Sequence, residues 1–275
     1  MRTELLEEFC PWRVLCGDAL GVIRRIPDNY LDAVVTDPPY CAGAVAEAKR
    51  TSVAGQGLRR DVISRFGWFV GDNMGTAGLA FLLRDLAFEC RRVVRPTGSL
   101  LVFCDWRMLS ALQPAIESAG LRYQNLIVWD KGAMGLGQGF RAQHELVMHF
   151  TFGAPKYHAR DESNVIEEKR VHHTEREHQT QKPEELMRRL VRIVAPPGGI
   201  VFDPFMGSGS TGAACLREGL RFIGVDSDRN HVETATKRLG EIKPLTRSAA
   251  VYGNRFAIDF SDLDTGHYAA LFAGE

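Results

Sequence analysis

Seven short apolar runs constrain this chain most: WRVLC (12–16), LDAVVTD (31–37), GSLLVFCD (98–105), QNLIVWD (124–130), HELVMHFTF (144–152), GIVFD (199–203) and RFIGVD (221–226). Each is too short and too continuously hydrophobic for an amphipathic helix. Strands buried on both faces of a mostly parallel sheet read this way, because helices cover both sides of such a sheet. The intervening segments supply those helices. Leu79, Leu82, Leu83, Leu86 and Cys90 repeat at helical spacing between Thr76 and Val94, and RPTG then turns the chain into the next strand. KPEELMRRLVRIVAPPGG (182–199) reads as another helix. Pro183 suits its first turn, Glu184 and Glu185 suit its positive end, and PPGG stops it.

The resulting expectation is an α/β fold with a doubly wound, mostly parallel sheet. The runs 124–130 and 144–152 are joined by the glycine-rich KGAMGLGQGFRAQ, with no room for a crossover helix, so they should form an antiparallel hairpin at one edge. Two segments fall outside the alternation. Residues 41–75 form a long loop with five glycines before Gly75, and 153–179 form a polar, histidine-rich insert. Long loops in compact domains tend to be lids or binding loops. With the tail 244–275, these segments are expected to belong to one domain spanning 1–275.

Composition excludes several classes. Hydrophobic residues make up 45% of the 275, enough for a substantial core, and 34 basic residues balance 34 acidic ones. A nucleic-acid partner must therefore be attracted by local patches, such as Lys49, Arg50, Arg59, Arg60 and Arg65. No apolar stretch approaches the roughly 18 residues of a membrane span and no leader peptide is evident, so a cytoplasmic protein without a membrane partner is expected. The six cysteines form no C-x-x-C pair. His158, His172, His173 and His178 match no familiar ligand spacing, and His144 and His149 are five apart on an expected strand, so no metal is expected.

Two stretches carry chemistry. GIVFDPFMGSGSTGAACLREGLRFIGVDSD (199–228) reads as strand, glycine turn, helix, strand and terminal acid, with Asp226 19 residues past Gly207. This is the dinucleotide- or adenosyl-binding unit: the glycines admit the ligand to the backbone and the acid accepts from ribose hydroxyls. Gly207, Gly209 and Gly212 also satisfy G-x-G-x-x-G, which leaves a nicotinamide-dependent dehydrogenase open. The second stretch, VVTDPPYCAG (34–43), ends a strand on Asp37-Pro38-Pro39-Tyr40. The prolines have no amide hydrogen and fix the backbone, so Asp37 and the Pro38 carbonyl form a rigid pair of acceptors beside the Tyr40 ring. Such a pair suits a planar ring bearing an NH2 group, for which a dehydrogenase has no use.

With these residues the chain resembles the S-adenosylmethionine-dependent DNA amino-methyltransferases. DPPY (37–40) is similar to their catalytic motif and DPFMGSGST (203–211) to their F-x-G-x-G cofactor motif. GVDSD (224–228) is similar to their ribose-binding strand end, CGDAL (16–20) to the segment contacting the cofactor adenine, and HQTQKPEELM (178–187) to their H-x-T-Q-K-P segment. The resemblance covers roughly residues 12–240. It implies a Rossmann-like class I methyltransferase sheet with the circularly permuted motif order of the beta class, and a target-recognition region at about 153–179. By analogy with many members, a homodimer is implied as well.

The implied reaction is sequence-specific methylation of the 6-amino group of a flipped-out adenine in double-stranded DNA, with S-adenosylmethionine as cofactor. Asp at position 37 favours adenine over cytosine-N4 within the resemblance. Asp37, Pro38, Pro39 and Tyr40 would be catalytic. Asp18, Asp203, Phe205, Gly207, Gly209, Ser210, Thr211 and Asp226, with Thr180 and Lys182, would bind the cofactor. The alternatives are cytosine-N4 methylation, an RNA or protein amide acceptor, a dehydrogenase, or a DNA-binding protein that has lost catalysis.

Overall fold

The computed structural model describes residues 11–39, 75–135, 138–159, 162–170, 182–243 and 258. Tyr40, Thr180, nearly all of the 41–75 loop, the histidines at 172, 173 and 178, and all of the 244–275 tail but Ile258 lie outside the described residues. Eight strands form one sheet in the order β1-β8-β7-β2-β3-β5-β4-β6. They are β1 (Trp12–Cys16), β2 (Leu31–Thr36), β3 (Val94–Cys104), β4 (Arg122–Asp130), β5 (His144–Thr151), β6 (Val165–Glu167), β7 (Ile200–Asp203) and β8 (Arg221–Asp226). Only β5 runs against its neighbours.

Alternation along the strands explains why both faces need helices. Val34 of β2, Leu100 and Val102 of β3, and Ile200 and Phe202 of β7 point into one core. Ala33 and Val35, Leu101 and Phe103, and Val201 point into the other. On the first side lie α1 (Ala19–Ile23), α2 (Thr76–Val93) and α3 (Leu109–Glu117). The second side holds α4 (Glu184–Val194), α5 (Ser210–Arg217) and α6 (Arg229–Gly240). Helix α2 buries Leu79, Leu83, Leu86 and Cys90, as the spacing predicts. Each buried leucine contributes about 1.5–3 kcal/mol, which offsets the entropy of ordering the segment.

The doubly wound sheet is thus observed, with one refinement at the hairpin. β4 and β5 pair antiparallel as expected, but the edge itself is β6, which pairs parallel to β4 through Val128, Trp129 and Asp130. β6 arises inside the polar 153–179 insert, where only Ile166 of its three residues is buried. Three residues with one inward side chain leave too short a pattern to read from sequence.

Topology fixes where a ligand can sit. From β7 the chain crosses by α5 to β8 on one side, and from β2 it crosses by α2 to β3 on the other side and the opposite face. The switch point therefore lies between β7 and β2, and open α/β sheets bind ligands beyond the carboxyl ends of the strands at such a point. Pro38 and Asp203 flank it.

Candidate active site

Four acids mark the carboxyl ends of four consecutive strands. Asp18 follows β1, Asp226 ends β8, Asp203 ends β7 and Asp37 follows β2. Sequence places them far apart, and the parallel sheet aligns them along one crevice.

At the β8 end, Asp226 organises the glycine turn. Its Oδ2 accepts from the Gly207 amide at 3.0 Å, while Oδ1 accepts from the Asp228 amide at 2.9 Å and meets His231 Nδ1 at 3.1 Å. Burial works against charge on His231, but the contact with Asp226 outweighs it and holds the imidazole above its ordinary value. Gly207 and Gly209 adopt φ of 51° and 78°, a region that costs other residues about 1–2 kcal/mol. A Cβ on Gly207 would meet nothing within 4 Å, so this glycine borders open space. Gly212 differs: a Cβ there would lie 2.7 Å from the Phe222 ring, so its bareness lets α5 lie close on the sheet. Gly207 thus borders the cradle, Gly209 turns the chain where a Cβ would lie 3.1 Å from Ala235 of α6, and Gly212 is for packing.

Asp203 holds that cradle to the β2 end. It is 2% exposed and accepts from Thr36 Oγ1 at 2.8 Å, Thr211 Oγ1 at 2.6 Å and the Phe205 amide at 3.1 Å. Burial pushes its pKa up to about 7, against the pull of these donors and with the help of nearby Asp37. Its oxygens are thus engaged by protein donors. Thr211 faces Asp203, Ser210 Oγ lies 3.3 Å from Arg238, and Phe205 is half-buried against the first core. Asp18 caps α1 by accepting from the Gly21 amide at 2.7 Å, and the Gly17 amide donates to the Asp226 carbonyl at 2.9 Å. Asp18 therefore serves a turn and also stands next to Asp226.

At the β2 end lies a cluster of charges that the motifs alone do not reveal. Asp37 Oδ2 is 2.6 Å from Lys182 Nζ, whose other carboxylate neighbour is Glu145 at 3.1 Å. Lys182 is 6% exposed and its ammonium sits 4.9 Å above the Phe103 ring centre. Glu145 also pairs with Lys131 at 2.5 Å. Burial opposes charge on Lys182, but Asp37 and Glu145 outweigh it and hold its pKa above the ordinary 10.5. Burial would likewise raise the Glu145 carboxyl, yet Lys182 and Lys131 keep it below the usual carboxylate range. Nearby Cys104 is pushed up to about 12 by burial and by Asp105, Asp37 and Glu145, so it is a neutral thiol.

The sequence-predicted residues among those described are therefore brought to one edge, with two in unexpected company. Lys182, assigned with the cofactor residues, meets Asp37 and Glu145 rather than the glycine turn. Asp203 meets Thr36 and Thr211. Pro38 is buried and Pro39 half-buried behind Asp37. Glu145 is the residue that sequence reasoning missed. Its signal was topological: an acid at the start of an antiparallel strand stands at the same edge as the carboxyl ends of parallel strands. Among the described residues no group of three His, Cys, Asp or Glu side chains could hold a metal ion, and no helix is long and apolar enough to cross a membrane.

Comparison with known proteins bears on the family and the fold. The chain is similar to the type II methyltransferase M.HpaI of Haemophilus parainfluenzae, 25% identical over 252 residues that cover 82% of this chain and 74% of that protein. It is also similar to the type II methyltransferase M.HinfI of Haemophilus influenzae, 27% identical over 256 residues covering 84% and 69%. Among solved structures, the M1.HpyAVI–SAM complex superposes with a TM-score of 0.60 at 24% identity, over 83% of this chain and 98% of that one. The cytosine-N4-specific PvuII DNA methyltransferase gives 0.64 at 15% identity, over 84% and 88%. Both structural likenesses show the class I methyltransferase fold. A family model described as DNA methylase, that of the N6 and N4 methyltransferases, matches residues 31–237, and the chain belongs to this family.

Proposed function

We propose that this protein transfers a methyl group from S-adenosylmethionine to the 6-amino group of a flipped-out adenine in double-stranded DNA. The observation that carries the reading is the placement of Asp37 and Pro38 across the switch point from the Asp203–Gly207 turn. Bound S-adenosylmethionine supplies an electrophilic methyl group on a sulfonium. The residues present fit it. Gly207 and Gly209 open the backbone, the Gly207 position leaves room, and Asp226 stands where ribose hydroxyls would donate. Phe205, Ser210 and Thr211 continue the cradle, and Asp18 stands on the adenine side.

The amino nitrogen of adenine is conjugated with its ring and is a poor nucleophile. Asp37 and the Pro38 carbonyl accept hydrogen bonds from its two N–H groups, draw the nitrogen toward tetrahedral geometry and aim its lone pair along the crevice. Pro38 and Pro39 fix these acceptors in place, so little reorganisation is needed at the moment of reaction. As the new N–C bond would form at the expense of the methyl–sulfur bond, leaving a neutral thioether, the positive charge passes to the nitrogen beside the Asp37 carboxylate, and the nitrogen sheds one proton in that direction. The base must leave the duplex stack to reach this site, and Tyr40, next in the chain, supplies the flat face on which it stacks.

Nucleoside analysis tests the reading. Incubation with unmethylated duplex DNA and S-adenosylmethionine, followed by digestion and mass spectrometry, is expected to give N6-methyladenine. N4-methylcytosine would retain the mechanism and reassign the acceptor. Methylation of neither base, with the cofactor shown to bind, would remove DNA as substrate.

A further inference from the structure

We propose that Glu145 is a positioning residue for methyl transfer, acting on Asp37 through Lys182. The inference rests on the reading of Asp37 given above. Four charges alternate in sign along one line, with Lys182 buried and the other three partly buried: Asp37, Lys182, Glu145 and Lys131, with successive contacts of 2.6, 3.1 and 2.5 Å. Three separate parts of the chain meet here. Asp37 follows β2, Lys182 precedes α4, and Glu145 and Lys131 come from the β4–β5 hairpin, where Glu145 pairs across to Trp129.

The antiparallel direction of β5 makes this meeting possible. Leu146 lies opposite Cys104 at the end of β3, so the preceding residue stands beyond the carboxyl edge, one strand removed from Asp37. A parallel strand would send that residue to the far end of the sheet.

The arrangement solves a conflict at Asp37. An ammonium as buried as Lys182 requires a counter-ion, since an uncompensated buried charge costs several kcal/mol. Were Asp37 its sole carboxylate, the ammonium on Oδ2 would be drawn fully onto that group and would compete with the amino group of the base for it. Glu145 gives Lys182 a second counter-ion, so the ammonium can lean away when the base arrives without losing compensation. Lys131 balances Glu145 in turn, which leaves the line neutral. The Phe103 ring lies under Lys182, with its centre 4.9 Å from the ammonium, and offers it a cation–π contact.

Glu145→Gln keeps the shape and removes the charge. Turnover is expected to fall roughly 10- to 100-fold, the scale of a misplaced reacting group, while the dissociation constant for S-adenosylmethionine stays within about twofold. Glu145→Asp keeps the charge one methylene back and should recover part of the lost turnover; it also serves where the Gln variant folds poorly. Asp37→Ala, measured in parallel, separates the two claims. If Asp37→Ala is inactive but Glu145→Gln turns over within about twofold of wild type, Glu145 has no positioning role. Equal losses in the Asp and Gln variants would also overturn the proposal, because charge would then not matter. Normal turnover in Asp37→Ala would instead reject the underlying reading of the site.

Discussion

Asp203 and Asp37 end adjacent strands, yet hydroxyl groups surround one and a buried ammonium faces the other. Asp203 receives Thr36, Thr211 and one backbone amide, all neutral donors, and its pKa rises to about 7. Asp37 meets Lys182, and the second carboxylate on that ammonium, Glu145, is held below its usual range. The neutral donors at Asp203 fix the carboxylate in place but compensate only part of the loss of water, whereas a cation also contributes its charge. The Asp203 corner thus suits a hinge pin between the cofactor turn and β2. The Asp37 corner keeps a carboxylate paired with an ammonium at the edge of the sheet.

The largest expected effect that sharpens this contrast is on turnover. Asp37→Ala should lower methyl transfer roughly 100- to 10,000-fold, as measured by incorporation of labelled methyl into DNA. Asp203→Asn, which preserves shape, should stay within about tenfold of wild type. Similar losses in both would erase the division of labour.

Next comes the split between the glycines. Gly207→Ala should weaken S-adenosylmethionine binding about tenfold or more in calorimetry, since a methyl group would enter the open space beside the turn. Gly212→Ala pushes into Phe222 and should cost about 1–3 kcal/mol of stability in urea titrations, while cofactor affinity of the folded protein is kept.

Stability against pH gives a smaller effect. The native state holds the Asp203 proton more tightly than an unfolded aspartate of pKa 3.8 does, so this contribution is complete below 3.8 and is lost as pH rises through about 7. Urea titrations of Asp203→Asn should therefore lack a downward slope that wild type shows across that window. Thr211→Val should cost about 1–3 kcal/mol, and more near pH 8 than near pH 5, because the donor matters most to the ionised carboxylate. Smallest is the shift at His231, whose NMR titration midpoint should lie above 6.5 and move down in Asp226→Asn, where burial acts without the carboxylate. Its stabilising contribution is complete below 6.5 and lost as pH rises through the folded value.

Much of this was legible in the sequence because it rests on local rules. Continuous apolar runs marked β1, β2, β7 and β8, and the α2 and α4 spans followed from leucine spacing and flanking prolines. The strand–turn–helix–strand–acid unit from Gly199 to Asp228 followed from its pattern of apolar runs and glycines. What escaped depended on contacts between distant segments. β3 starts at Val94, earlier than the apolar run, because pairing with Leu31 of β2 carries the strand through Pro96 and Thr97. Lys182 looked like a cofactor contact beside the helix start, yet only the packing of α4 under the sheet decides which carboxylate its long side chain meets. Glu145 had attention only as part of HELVMH, since its role depends on β5 running antiparallel beside β3.

The most direct test of the division between the two corners is the titration of Asp37→Ala with S-adenosylmethionine by calorimetry, on the same preparation whose methyl transfer is assayed. A dissociation constant within about threefold of wild type, alongside lost transfer, is the predicted result. Loss of cofactor binding in step with transfer would contradict it, placing Asp37 within the cofactor cradle.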